Sequence, residues 1–422
     1  MTRLTLPALA ASLLLNAGAV AAQPAADPVC DGSSGYAAVF DGRRTFLWRP
    51  DHLQTIKTRV AADDPALQPA WSALRSRADA ALGRSPYTVV DKTRLPASGD
   101  RHDYMSMGPY WWPDRSKPDG LPYMRRDGVM NPERETDAFD LADLEAMSQD
   151  VQALSLAYYF TGDERYAAQA AAFVRAWFLT PETRMNPNLN HGQAVPGRVS
   201  GRAEGVIDAA RLVRVVESLG LLDASPALTD EERAGLRDWF AAFVEWMATS
   251  PIGRDEKAAR NNHGVYYDAL ISEFALYAGM DDVARTVTSR AGAVRLAPQI
   301  HPDGSLPQEL ARTRSFHYTA WTLTAAFDLA DLGRCVGVDL WDFSTPDGRS
   351  LRAATNFVGA YAGREQDWPY PELDKSETIG LYEVLQRAAW AWDDASYAEK
   401  ARLYADRHAA SALNLRTPPY AP

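Results

Sequence analysis

Apolar residues recur at helical spacing along almost the whole chain, near 51–82, 138–160, 163–179, 201–221, 230–248, 262–278, 281–297, 317–334, 350–362, 377–393 and 396–411. Few stretches show the strict alternation of a strand, so the pattern restricts the chain to an all-α fold. Several boundaries carry a physical reason. Thr229 and Glu232 form a capping-box pattern ahead of Leu236, Trp239, Phe240 and Phe243, and Gly162 and Gly279 stand where a helix would end in a left-handed residue. The segments Leu156–Asp163 and Phe274–Asp281 share an apolar helix end, a Gly stop and an acidic restart. Such weak internal similarity fits stacked helical hairpins. Hairpins can stack as an open solenoid or curl into an α/α toroid, an incomplete barrel of helix pairs. The long irregular stretches 84–137 and 180–200 favour the toroid, because long loops in a compact domain usually carry function.

Residues 1–22 read as an export signal: Arg3, an apolar run from Leu4 to Leu15, then Ala19-Val20-Ala21-Ala22 as a small-residue cleavage pattern. The expectation is a periplasmic or secreted protein with one toroidal domain over 23–422, since no composition shift or linker divides it. The apolar run is too short for a membrane span, and no later stretch approaches the ~18 apolar residues a span needs. Cys30 and Cys335 can pair in an oxidising compartment, and two unpaired thiols fit the sequence equally well. A net charge of −11 excludes a global footprint for nucleic acid or anionic membrane, so a polyanionic ligand must meet a local basic cleft. The histidines form no His-Glu-x-x-His motif, and no phosphate-binding Gly loop or dinucleotide fingerprint is present, so neither a catalytic metal nor a cofactor is expected.

Four constellations concentrate chemical groups. The first runs from Asp103 through Tyr104, Tyr110, Trp111 and Trp112 to Asp119-Gly120-Leu121-Pro122-Tyr123 and then Arg125 and Arg126. Its Pro and Gly content rules out a helix or central strand, and its aromatics suit the flat faces of sugar rings. The second is Asn188-Leu189-Asn190-His191-Gly192-Gln193-Ala194-Val195-Pro196-Gly197-Arg198, leading to Arg202, with directed donors for carboxylates or hydroxyls. The third is Arg260-Asn261-Asn262-His263-Gly264, opening a helix that carries Tyr266 and Tyr267, where an anion would be stabilised. The fourth runs from Asp303-Gly304-Ser305 through Glu309, Arg312 and Arg314 to His317 and Tyr318. An Arg beside a phenol favours phenolate, so Tyr318 is expected to have a lowered pKa. Packing alone is the plain alternative for each group.

These groups suit elimination from a uronic acid polymer. The proton on C5 leaves from beside a carboxylate while the glycosidic oxygen on C4 departs, so a site must neutralise that carboxylate and hold the enolate-like intermediate with preorganised donors. Asn262, His263 and Arg312 or Arg314 have the chemistry for this. Tyr318 can act as base and then as acid when both groups lie on one face of the sugar, and His263 is the second proton acceptor for the opposite geometry.

The motifs Tyr104-Met105-Ser106-Met107-Gly108-Pro109-Tyr110-Trp111-Trp112-Pro113, Asn261-Asn262-His263 and Asp303-Gly304-Ser305 through Arg312 to His317-Tyr318, in this order, resemble the alginate lyase superfamily of α/α-toroid polysaccharide lyases, related to families 5 and 38. The resemblance spans about residues 45–390. It implies that Asn262 and His263 neutralise the substrate carboxylate, that Tyr318 is base and acid, and that Arg312 or Arg314 assists, with Arg314 favoured. It implies a β-1,4-linked uronate substrate, polymannuronate, mixed alginate or glucuronan, without separating them. Relatives tend to hold an aromatic where this chain has His191, which leaves the sugar preference open. Arg125, Arg126, Arg198 and Arg202 are candidate carboxylate clamps, since Arg pairs with carboxylates bidentately. Tyr104, Tyr110, Trp111, Trp112, His191, Gln193, Tyr267 and His317 complete the candidate substrate contacts. Two other readings compete: a glycoside hydrolase on a similar toroid, for which Glu309 and Asp303 would be the carboxylates, and a glycan-binding protein without turnover.

Overall fold

The computed structural model describes residues 28–420, so the export signal expected over 1–22 lies outside the described residues. Fifteen α-helices form the framework of the described residues. In chain order they are α1 (Pro50–Ala61), α2 (Gln68–Ala81), α3 (Leu141–Thr161), α4 (Glu164–Val174), α5 (Leu212–Leu222), α6 (Asp230–Thr249), α7 (Pro251–Lys257), α8 (Asn262–Tyr277), α9 (Asp281–Ala291), α10 (Ala297–Gln299), α11 (Pro307–Leu310), α12 (Ser315–Cys335), α13 (Leu351–Gly359), α14 (Ile379–Ala391) and α15 (Ala395–Arg402). The inner helices α3, α5, α8, α12 and α14 pack in series, and α4, α6, α9, α13 and α15 back them. This is the expected α/α toroid.

The two layers differ in how their sequences bury. In α8 every residue from Gly264 to Tyr277 is buried, and α12 is nearly as enclosed, as befits helices covered on all sides. Outer helices bury one stripe: Ala284, Val287, Thr288 and Ala291 in α9, and Leu351, Ala354, Thr355 and Val358 in α13, both at i, i+3, i+4 and i+7. The capping box at Thr229 forms, and Gly162 and Gly279 take positive φ of 73° and 79° at their helix ends.

Elsewhere the helices are shorter than their periodicity suggests. The stretch 51–82 breaks into α1 and α2 where Asp63 adopts φ 53° and Asp64 Oδ1 accepts the N–H of Ala66 around Pro65. Residues Ala203–Arg211 wind as a 3-10 helix before α5, and π-turns at Arg175–Leu179 and Gly292–Leu296 extend α4 and α9. Beyond Arg402 the stretch 396–411 is turns. The Pro-rich tail after Arg416, which reads as a loose end, is docked: Trp390 Nε1 donates to the Pro418 carbonyl at 2.8 Å and packs edge-on against Tyr420.

An N-terminal strap, residues 28–49, is tied across the helices at several points, among them an ion pair from Arg44 to Asp223 at 2.9 Å. Cys30 and Cys335 form a disulfide to the end of α12, which settles the choice that the sequence leaves open. Ser33 N–H donates to Asp281 on α9. The buried Glu217 of α5 accepts the N–H groups of Phe46, Leu47 and Trp48 at 2.8–3.1 Å. Removing the disulfide with Cys30→Ser/Cys335→Ser is expected to lower stability by about 3 kcal/mol, the usual range for a bridge closing a long loop. Thermal melts check this, and identical melts for the parent and the double variant would show that the strap is held by its other contacts without help from the bridge.

Candidate active site

The first two constellations fold onto each other. Strand β1 (Met105–Met107) pairs in parallel with β4 (His191–Ala194), and β2 (Trp111–Trp112) pairs with β3 (Met124–Arg125) in an antiparallel hairpin. Below β1, the fully buried Tyr104 donates its hydroxyl to Asp208 at 3.2 Å, and Ser106 Oγ donates to the same carboxylate at 2.5 Å. Backbone meets backbone where β4 crosses the 3-10 helix: a Cβ on Gly205 would lie 2.4 Å from the Gly192 carbonyl, so only glycine fits. This contact sets Gln193, whose side-chain oxygen accepts from Arg202 Nη2 at 2.8 Å.

The loops roof a cleft of about 810 Å³ over the inner helices. Ten of the candidate residues converge on it: Tyr110, Trp111, Arg125, Gln193, Arg202, His263, Arg312, Arg314, His317 and Tyr318. Seven do not. Trp112 donates Nε1 to the Val129 carbonyl and stacks under Arg126, while Arg198 covers Trp111 from outside and donates to the Tyr123 carbonyl. His191 sits in the loop core beside Asp103, and Tyr104 lies under the loop. Tyr267 points into the helical core, donating to the Met247 carbonyl. Trp112, Arg126, Arg198, His191, Tyr104 and Tyr267 thus support the loops or the helical core and do not line the cleft, and Asn262 is the seventh.

Asn262 is the main revision among the candidate reactive groups. It is fully buried, its backbone N–H donates to Glu309 Oε1 at 2.8 Å and its side-chain Nδ2 to Glu309 Oε2 at 2.7 Å. Its neighbour Asn261 lines the cleft instead. The helix start at α8 therefore turns His263 inward, helped by Gly264, where a Cβ would strike the Ala259 carbonyl at 2.2 Å. Glu309 is thereby occupied, and Asp303 lies in an exposed turn, so neither carboxylate suggested for a hydrolase reaches the cleft.

His263 Nδ1 lies 2.6 Å from Glu256, a carboxylate on α7 that is 2 % exposed. Burial pushes the Glu256 pKa up, and His263 pulls it back. With Nδ1–H donating to Glu256, the bare Nε2 is left to the cleft. Opposite stands Tyr318, whose hydroxyl is 2.5 Å from that of Tyr110. The Arg312 guanidinium lies 3.9 Å from the Tyr318 ring centroid and is clamped by Asp127 at 2.9 Å. Arg312 does favour the phenolate, yet burial outweighs it and the neighbouring Tyr110 adds to the rise, so the Tyr318 pKa lies well above that of a free phenol. The expected lowering is reversed because the ring sits in a largely enclosed site. Glu377 pairs with Arg314 and, at 2.9 Å, with His317 Nδ1. Burial, then Arg314 and Arg312, push His317 down to about 4, which keeps the ring neutral.

Sequence spacing marks Glu309 without its role and gives no sign of the other carboxylates that hold these groups. Glu256, Glu309, Asp127 and Glu377 come from four separate segments and meet their partners only in the folded chain. Arg211 and Arg214, which share Glu145 at 2.7 Å each, extend the basic lining. No group of three or more His, Cys, Asp or Glu side chains suited to a metal occurs among the described residues. Glu256→Gln is expected to keep the fold and shift His263 away from the Nδ1-protonated tautomer. Ring-nitrogen NMR shifts read this directly, and unchanged shifts would remove Glu256 from that role.

Comparison with known proteins gives the family. The alginate lyase family model matches residues 88–368. The crystal structure of an alginate lyase from Bacteroides ovatus is 40% identical, covering 89% of this chain and 99% of that one with a TM-score of 0.84. Alginate lyase A1-III from Sphingomonas species A1 shares the fold at 18% identity, covering 93% of this chain and 97% of that one with a TM-score of 0.56. No curated protein matches. With more than half its length matched by that family and a solved relative aligned almost end to end, the chain belongs to the alginate lyases and is a polysaccharide lyase.

Proposed function

We propose that the protein is exported and cleaves a β-1,4-linked uronate polymer, polymannuronate or alginate or else glucuronan, by β-elimination, leaving a C4–C5 unsaturated uronate. The observation that carries this is the convergence of His263, Arg312, Arg314 and Tyr318 on one cleft whose lining holds seven arginines, in a chain of net charge −11. The Cys30–Cys335 bridge supports an oxidising compartment.

In this reading the substrate carboxylate is met by Arg312, Arg314 and His263, which disperse the charge that builds on it as the C5 proton leaves. Asn262 contributes by fixing the first turn of α8 through Glu309. Tyr318 rests as the phenol. To act as base it must first release its proton, which Arg312 over the ring favours. Having taken the C5 proton, it is the acid that serves the departing C4 oxygen on the same face. His263 Nε2 is the alternative base for the opposite geometry.

Incubation with polymannuronate, polyguluronate, glucuronan and a neutral β-glucan, followed by ultraviolet absorbance, tests the reaction class. A rise from the conjugated double bond on a uronate is expected; new reducing ends without it would mean hydrolysis. Tyr318→Phe should keep the fold and abolish turnover. His263→Ala should lower kcat on the order of 10²- to 10³-fold, as for loss of one preorganised donor. Because Tyr318 is held protonated, its base form grows as pH rises, so kcat/KM should climb from pH 6 to 9 at about tenfold per unit. A profile flat over that range would assign the base to another group.

A further inference from the structure

Beyond the cleft a second cavity, about 470 Å³, lies between α2, α3, α14 and residues 410–416. Arg214 lines both spaces. The second is bordered by three guanidinium groups, Arg77, Arg214 and Arg416, against the single carboxylate of Glu383. Two of the three already have partners: Arg77 Nε lies 2.7 Å from Asp150, and Arg214 Nη1 lies 2.7 Å from Glu145. Arg416 differs. It is half-buried with its guanidinium carbon 5.7 Å from the Trp48 ring centroid, and no carboxylate among the described residues lies within ion-pair distance of it.

The hydrogen-bond accounts of this cavity are unbalanced in one direction. Arg416 Nε has no partner, nor does Nε2 of Gln152, a residue 8 % exposed on the cavity wall. Both orphans are donors sealed inside the wall, where each carries a desolvation cost, and what the chamber itself presents to a ligand is an excess of guanidinium groups over its one carboxylate, a lining suited to an anion. Ala70, Leu74 and Leu413 give the same space an apolar side. Its volume falls in the range of small-molecule sites.

We propose that this chamber is a second binding site, separate from the cleft in which the polymer is cut, and that it takes one carboxylated sugar residue or a short uronate released by cleavage. The carboxylate would pair with Arg416 and the hydroxyls with Gln152. The choice of uronate as the anion rests on the proposed function, and the position of the site does not.

Equilibrium dialysis with labelled glucuronate, which has no glycosidic bond to cut, tests it with glucose as the neutral probe. Two glucuronates per chain are expected in the parent protein, one of them weakened at least tenfold in Arg416→Met and in Gln152→Glu, with glucose not retained. Gln152→Glu keeps the side-chain size and leaves Trp48 covered, so it reads out even if Arg416→Met fails to fold. At most one glucuronate in the parent, unchanged binding in a folded variant, or equal retention of glucose would overturn the proposal. Absence of absorbance from any uronate polymer would instead refute the proposed reaction, since the dialysis needs no turnover.

Discussion

The carboxylate of Glu309 receives both the backbone N–H and the side-chain amide of Asn262, and the working surface of the protein hangs on that double bond. Helix starts leave N–H groups without intrahelical partners, and inside a protein such groups must be met. Here the partner comes from α11, just ahead of the segment that carries Arg312 and Tyr318. One interaction therefore sets the start of α8 against the start of α12, two inner helices in extensive mutual contact, and with them His263 against Tyr318. Glu256 repeats the device one residue later, fixing the imidazole that Asn262 has aimed. Losing either carboxylate would leave a buried amide or imidazole unmet, which costs more than the contact itself contributes.

The same economy governs charge. Arg125 and Arg312 share Asp127, Arg314 has Glu377, Arg202 has Glu204, and Arg211 and Arg214 share Glu145. Each such pairing offsets part of the cost of enclosing a guanidinium. The cleft is thus basic in its donors while nearly balanced in formal charge, so it can sit in an acidic protein without strong self-repulsion. An entering carboxylate joins networks already in place, and little side-chain ordering remains to be done when it arrives.

Much of this was legible beforehand. Periodicities of 3.6 gave the helices, and the Gly stops gave the hairpins that curl into the toroid. The third and fourth constellations identified His263, Arg312, Arg314 and Tyr318 because unusual residues crowd into short stretches there. What escaped was whatever depends on direction. Asn262 and His263 are adjacent, yet a helix turns successive side chains about 100° apart, so one faces the core and the other the cleft. Tyr267 follows α8 into the core for the same reason. Glu256 and Asp127 have nothing local to mark them, being ordinary acidic residues until the chain brings a partner across. Spacing reveals the Arg beside Tyr318 and says nothing about the enclosure that raises its pKa instead.

The strap joined to α12 through Cys30 and Cys335 also imposes an order in time. The two cysteines are 305 positions apart. A ribosome adding roughly 5–20 residues per second needs about 15–60 s between them. Throughout that interval Tyr36, Phe40, Phe46 and Trp48, all buried in the finished protein, have no helix end to be fastened to and no Glu217 until α5 exists. A segment made early is thus among the last to be locked, and its aromatics stay unfastened until the helices that hold them have been made.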